Sequence, residues 1–155
     1  MSADLLAACD LLAQYGALVD SGQYDEWLGL FSKRCSYYVK PRENHDLGLP
    51  AGLIYCDSRA MLEDRILALR IASKYNPHND RHIIGLPRII AHGPEGISIE
   101  APFAVYQTEL EGDTRLFATG LYCDRLERSG EGFKISEKLV RVDSFAIQTL
   151  LATPL

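Results

Sequence analysis

At 155 residues the chain has the length of one domain, 1–155, and can bury a sizeable core without disulfide or metal staples. Its 21 acidic and 16 basic side chains leave a formal net charge of −5, and they are mixed along the sequence with no basic stripe, which argues against nucleic acid as a partner. Cys9, Cys35, Cys56 and Cys123 stand far apart with no C-x-x-C pair, so they suit neither a disulfide framework nor structural zinc and are read as reduced and mostly buried.

The first basic residue is Lys33, which is late for a secretory or mitochondrial leader. No apolar run approaches the roughly 20 residues that span a bilayer. The expectation is a cytoplasmic chain with no membrane partner.

Residues 3–21, "ADLLAACDLLAQYGALVDS", predict a helix. Ser2 can cap it, Asp4 suits its positive N-terminal end, and Gly22 marks its stop. Leu5, Ala8, Cys9, Leu12, Tyr15 and Val19 recur at three-to-four spacing and make its apolar face. A shorter helix is expected over 24–31, with Trp27, Leu28 and Phe31 on its buried side. "CSYYVKP" (35–41) alternates and is rich in β-formers, which predicts a strand. "RENHDLGLPAG" (42–52) carries turn formers and predicts a loop, and "LIYC" (53–56) a short strand. Residues 57–75 predict the second long helix, capped by Asp57 or Ser58, with Met61, Leu62, Ile66 and Leu69 on one face and little ion-pair support.

After Pro77 the period changes to two. Strands are predicted over 82–91, 97–110, 114–127 and 133–145, separated by "GPEG", "EGD" and "RSGEG" turns. Gly85 and Gly120 inside long strands predict bends. Helices first and a meander afterwards give an α+β domain, with N-terminal helices packed on a curved, mostly antiparallel sheet.

Within "KYNPHNDRHIIGLPRII" (74–90), His78-x-x-x-His82 with Asp80 between them supplies the residue types of many mononuclear iron sites. Two histidines four apart share a metal when a helix holds them on one face. Pro77 and Asn79-Asp80 instead predict a turn, with His78 in a solvated loop and His82 opening a strand, on different elements. No metal site is therefore expected here. His82 is expected to be a partly buried imidazole bonded to backbone or to a carboxylate, and Arg81 to pair with an acid. No P-loop, G-x-S-x-G or G-x-G-x-x-G is present. Arg141 and Asp143 alternate with Val140 and Val142 in a strand that should be covered, and such charges need a desolvated partner, as at a subunit interface. The apolar tail "FAIQTLLATPL" (145–155) must dock on its own domain or on another chain.

The ordered set "YYVKPREN", "GLPAGLIYCDSRAMLEDRILALR", "RHIIGLPRI" and "VRVDS" resembles the small (beta) subunit of aromatic-ring-hydroxylating dioxygenases over essentially the whole chain. Within that family the likeness is to small subunits of oxygenases acting on aromatic carboxylates, such as terephthalate dioxygenase and salicylate hydroxylase. The resemblance implies the nuclear transport factor 2-like cone. It also implies assembly with a large (alpha) subunit as three large and three small chains, the small ones forming a homotrimer. The Rieske 2Fe-2S cluster and the mononuclear iron would belong to the large subunit, leaving this chain without cofactor, metal or catalytic centre. Subunit contacts are expected at Arg42, Glu43, Asn44, Arg81, His82, Arg141 and Asp143. The alternative is a stand-alone dehydratase or isomerase of the same cone fold, with Asp64, His82 and Tyr38 lining a deep open pocket; a third possibility is a cofactor-free binder of small ligands.

Overall fold

The computed structural model describes residues 1–48, 52–75, 77–143 and 154–155. Helix α1 (Ala3–Asp20) opens with the Ser2 side chain accepting from the Leu5 N–H at 3.2 Å. It closes before Gly22, whose φ of 72° only glycine adopts at little cost. Helix α2 (Tyr24–Leu28) is shorter than expected, and strand β1 (Phe31–Pro41) correspondingly starts earlier. Phe31 is buried as predicted, at the start of a strand and not at the end of a helix.

The expected loop after β1 instead begins with a one-turn helix, α3 (Arg42–Asp46), in which Arg42 and Asp46 lie 3.8 Å apart at i, i+4. Residues 49–51 of that predicted loop lie outside the described residues. Strand β2 (Ile54–Cys56) pairs antiparallel with β1. Helix α4 (Arg59–Tyr75) follows, and the Ser58 hydroxyl accepts from the Met61 N–H at 3.3 Å. Leu62, Ile66 and Leu69 are buried, but Met61 points to solvent. Arg59 and Glu63, 3.1 Å apart, supply an i, i+4 pair that the sequence reading overlooked.

The predicted strand 82–91 is two strands, β3 (His78–Ile84) and β4 (Arg88–His92). Both pair with β5 (Gly96–Glu109). The break falls at 85–87, where a Cβ on Gly85 would stand 2.6 Å from the Pro102 ring and where Pro87 has no N–H to offer a ladder. Strands β6 (Thr114–Ser129) and β7 (Gly132–Val142) complete the meander. Residues 144 and 145 of the predicted last strand lie outside the described residues.

The strands form a seven-stranded sheet in the order β2-β1-β7-β6-β5-β3, with β4 beside β3 on β5. Among the described residues only the β1–β7 pairing is parallel; the others are antiparallel. Register shifts in the β1–β7, β4–β5, β5–β6 and β6–β7 pairings bend it. At Gly120 a Cβ would lie 2.0 Å from the Arg141 carbonyl oxygen and 2.8 Å from the Phe103 ring, so close strand approach requires glycine there. The inner face carries Tyr37, Val39, Ile99, Ala101, Phe103, Val105, Tyr122, Val140 and Val142. Leu12, Tyr15 and Val19 of α1 and Leu62, Ile66 and Leu69 of α4 bury against that core.

Candidate functional site

The inner face of the sheet holds more than hydrocarbon. Asp124 on β6 and Lys138 on β7 are register partners, so both side chains project inward in phase with Tyr122 and Val140. Lys138 Nζ donates to Asp124 Oδ2 at 2.8 Å, and both side chains are 0 % exposed. The ammonium also lies 3.5 Å from the Tyr122 ring centroid and 4.2 Å from that of Tyr15, a cation–π cage. Burial pushes the Asp124 carboxyl up and the Lys138 ammonium down, and each opposes the other's shift.

Around this pair the aromatic rings interlock. Trp27 lies 5.6 Å from Tyr15 and 5.9 Å from Tyr37, and Phe103 stacks on Tyr122 at 4.4 Å. Such pairs are each worth about 0.5–1.5 kcal/mol beyond their area. Burial raises the Tyr15, Tyr37 and Tyr122 hydroxyls above the usual phenol range, so they remain O–H donors. The interior is closed by Leu155. The Tyr15 hydroxyl donates to its main-chain oxygen at 2.5 Å and the Tyr37 hydroxyl at 3.2 Å, while its N–H donates to Tyr37 Oη at 2.9 Å. The predicted tail docking is thus seen on the chain's own domain at Pro154 and Leu155, both buried; residues 144–153 lie outside the described residues.

A second polar assembly links α1 to β3. Asp20, the last residue of α1, accepts from the His82 backbone N–H at 2.8 Å and lies 2.6 Å from His82 Nδ1. The carboxylate bond expected for His82 is present. Its side chain is fully buried, so it fixes the strand that carries Arg81 and presents no surface of its own. Arg81 reaches Asp20 at 3.8 Å while 72 % exposed, which meets the expectation that it pairs with an acid. A cleft of about 440 Å³ between these elements is lined by Leu12, Ala13, Gly16, Ile84 and Leu86, with Asp20 and His82 at one side.

The histidine pair needs a correction. His78 is not in a solvated loop; it is half-buried on β3, on the same strand and the same face as His82. Four residues of strand separate their Cα atoms by roughly 13 Å, too far to share one ion. His78 Nε2 instead lies 3.3 Å from Asp80 Oδ1. Among the described residues no three His, Cys, Asp or Glu side chains converge in a metal-holding group.

The residues of the enzymatic alternative do not meet. Asp64 is exposed on α4, and His82 is inside. Tyr38 lies on the outer face of β1, its ring centroid 4.8 Å from that of Tyr55. The remaining expected contacts are dispersed over the outside. Arg42 and Glu43 are exposed on α3, the helix that also holds Asn44. Arg141 is half-buried on the outer face, in register with Lys40 and Leu121. Asp143 is exposed and accepts from the Thr119 hydroxyl at 3.1 Å. The sequence reading missed Lys138, Asp124 and Asp20. The signal for the first two was available: both fall on the inward phase of alternating strands. It also missed the exposure of Met61, Leu67 and Ile71 on α4, the last two one turn apart, with Leu47, Leu53 and Tyr55 also exposed on the segments before it.

Comparison with known proteins adds identity to this geometry. A family model described as ring hydroxylating beta subunit matches residues 16–149. The chain is 39% identical over 143 residues to the terephthalate 1,2-dioxygenase terminal oxygenase component subunit beta 2 of Comamonas sp, covering 92% of this chain and 93% of that protein. It is 35% identical over 142 residues to the anthranilate 1,2-dioxygenase small subunit of Burkholderia cepacia, covering 92% and 88%. A crystal structure of the beta subunit of an aromatic-ring-hydroxylating dioxygenase from Novosphingobium aromaticivorans superposes with a TM-score of 0.86 at 41% identity, covering 96% of this chain and 95% of that one.

Proposed function

The chain belongs to the family of ring-hydroxylating beta subunits, and on that premise we propose that its work in an aromatic-carboxylate dioxygenase is positional. It is the small subunit of an aromatic-ring-hydroxylating dioxygenase, an oxidoreductase that acts as a complex, and its fold is the nuclear transport factor 2-like cone. In the proposal, three copies of this single-domain chain form a base in the cytoplasm, and three large subunits dock on it. The Rieske cluster and mononuclear iron sit in those large subunits, and the rigid base fixes the distances over which electrons pass between them.

The observation that carries the positional reading is the sealed cone. Tyr15, Trp27, Tyr37, Tyr122 and Leu155 fill the interior, and the inward-facing Asp124 and Lys138 are bonded to each other. Among the described residues, a substrate would meet no open, charged wall between these side chains. The outside, by contrast, offers adhesive surface: Leu67 and Ile71 one turn apart on α4, exposed Met61 on the same helix, and charged side chains at Arg42, Glu43, Arg81, Arg141 and Asp143. These, with Asn44, are the proposed contacts. His82, bonded to Asp20, supports Arg81 from beneath. Terephthalate and anthranilate, named for the two relatives, are both aromatic carboxylates, and that supports the substrate class.

Native mass measurement of the chain expressed alone and with its large subunit tests the proposal. A trimer alone, a three-plus-three assembly together, and oxidation of benzoate-type acids by the assembly and not by the lone chain are expected. A lone chain that oxidises or dehydrates such an acid, or that fails to associate with the large subunit, overturns it.

A further inference from the structure

Between Phe31 and Ser36 strand β1 advances five residues while its parallel partner β7 advances two, so Ser32–Arg34 bulge out of the ladder. Hydrogen bonds hold the bulge in one shape. The Ser32 hydroxyl donates to the Arg34 carbonyl oxygen at 2.8 Å, and Arg59 donates to the carbonyl oxygens of Phe31 and Ser32 at 3.0 and 3.3 Å. Beside it lies a cleft of about 490 Å³ between the bulge and the β6–β7 hairpin. Lys33, Arg34, Arg128 and Lys134 line it, and Glu127 is the one carboxylate among the described lining residues. These charges do not cancel. Arg128 is matched by Asp4, and Glu127 is the register partner of Lys134, whose ammonium also donates to the Gly29 carbonyl oxygen. Lys33 and Arg34 are exposed, and among the described residues neither side chain has an ion-pair or hydrogen-bond partner. Two unmatched cations next to each other repel, in a chain whose acids outnumber its bases. A ligand with two negative charges relieves that repulsion.

We propose that this cleft binds a small organic molecule through a dianionic head group, with the Arg34 guanidinium gripping two of its oxygens and the Lys33 ammonium adding a point charge. The head is a phosphate ester or a pair of neighbouring carboxylates, which share the charge and the acceptor oxygens. The size of the cleft calls for a body attached to that head, because an inorganic phosphate would leave most of it empty. The aliphatic stems of the lysines and arginines supply apolar wall for such a body. The inference is independent of the assembly role and stands or falls without it.

The test follows amide chemical shifts of the isotopically labelled full chain at constant ionic strength and about pH 8, where a phosphate ester is dianionic. The probes are phenyl phosphate, phthalate, benzoate and inorganic phosphate. Phenyl phosphate or phthalate shifts the amides of Ser32–Arg34 and of 127–129 saturably, and the tighter of the two identifies the head group. Benzoate, with a single charge, and inorganic phosphate, with no body, each bind at least about tenfold more weakly. Lys33→Ala with Arg34→Ala, both at exposed positions outside the ladder, lowers affinity about tenfold, whereas Arg115→Ala at the other end of β6 leaves it unchanged. No saturable shift with either dianion overturns the proposal. So does benzoate or inorganic phosphate binding as tightly as the better dianion, or a folded double variant that binds like the unsubstituted chain. Should the double variant fail to fold, Lys33→Gln with Arg34→Gln takes its place under the same criteria.

Discussion

Lys138–Asp124 and Arg128–Asp4 each join a cation to an aspartate at nearly the same distance, 2.8 and 2.9 Å, in opposite surroundings. The first lies inside the cone with both side chains out of contact with water. The second is a two-pronged pair on the surface, tying the first turn of α1 to the end of β6. In the interior, water has been removed from both charges, and the pair survives because each ion is the other's remaining solvent. At the rim, water screens the attraction and either partner can rehydrate when the other leaves. Equal geometry therefore implies very unequal consequences of breaking it.

The largest effect follows from that difference. Lys138→Ala leaves the Asp124 carboxylate buried with no compensating charge, and the expected cost is about 3–5 kcal/mol by chemical denaturation. The double change Lys138→Met with Asp124→Leu removes both charges while filling the space, and should fall near neutral or be stabilising. A double variant as damaged as the single one would show that the pair contributes net stability, which breaks the comparison.

Asp20 lies between the two extremes, because it bonds buried His82 on one side and exposed Arg81 on the other. Asp20→Ala strands the His82 backbone N–H and ring nitrogen in a dry place, and should cost about 1–3 kcal/mol. Hydrogen exchange should rise selectively along β3, since the lost bonds anchor that strand to α1. An unchanged exchange pattern would mean that the pairing of β3 with β5 holds the strand without the carboxylate.

The same contrast between local and long-range chemistry explains what the sequence made legible. The long helices, the Ser2 and Ser58 caps and the three-hairpin meander rest on neighbours in sequence, and periodicity reads those directly. The one-turn helix α3 is too short for any apolar period to show. Asn79-Asp80 was read as a turn by propensity, yet seven register pairs with β5 hold His78–Ile84 extended. The Gly85-Leu86-Pro87 break was hidden because the apolar pattern runs on across it. Asp20 and His82 are 62 positions apart, so their contact follows only once α1 is laid against β3. Lys138 and Asp124 were within reach of the sequence alone, as two charges in phase with buried Val140 and Tyr122 on adjacent strands. The resemblance named the family but not the sealing of the cone, which depends on where Leu155 comes to rest.

The smallest effect is expected at the rim, where it can be isolated by its pH dependence. The two guanidinium hydrogen bonds from Arg128 hold the Asp4 carboxyl below its ordinary value of 3.8. A carboxyl depressed in the folded state contributes stability above its unfolded value and loses that contribution as pH falls through its folded value. Asp4→Asn removes the charge and with it this component. The thermal midpoints of the unsubstituted chain and of Asp4→Asn should therefore differ slightly at pH 7 and converge as pH drops below 3.8. Added salt should narrow the gap at pH 7, because both groups are reached by solvent ions. A gap that persists at low pH and in high salt would assign the effect of Asp4 to its position in the first turn of α1 and not to Arg128.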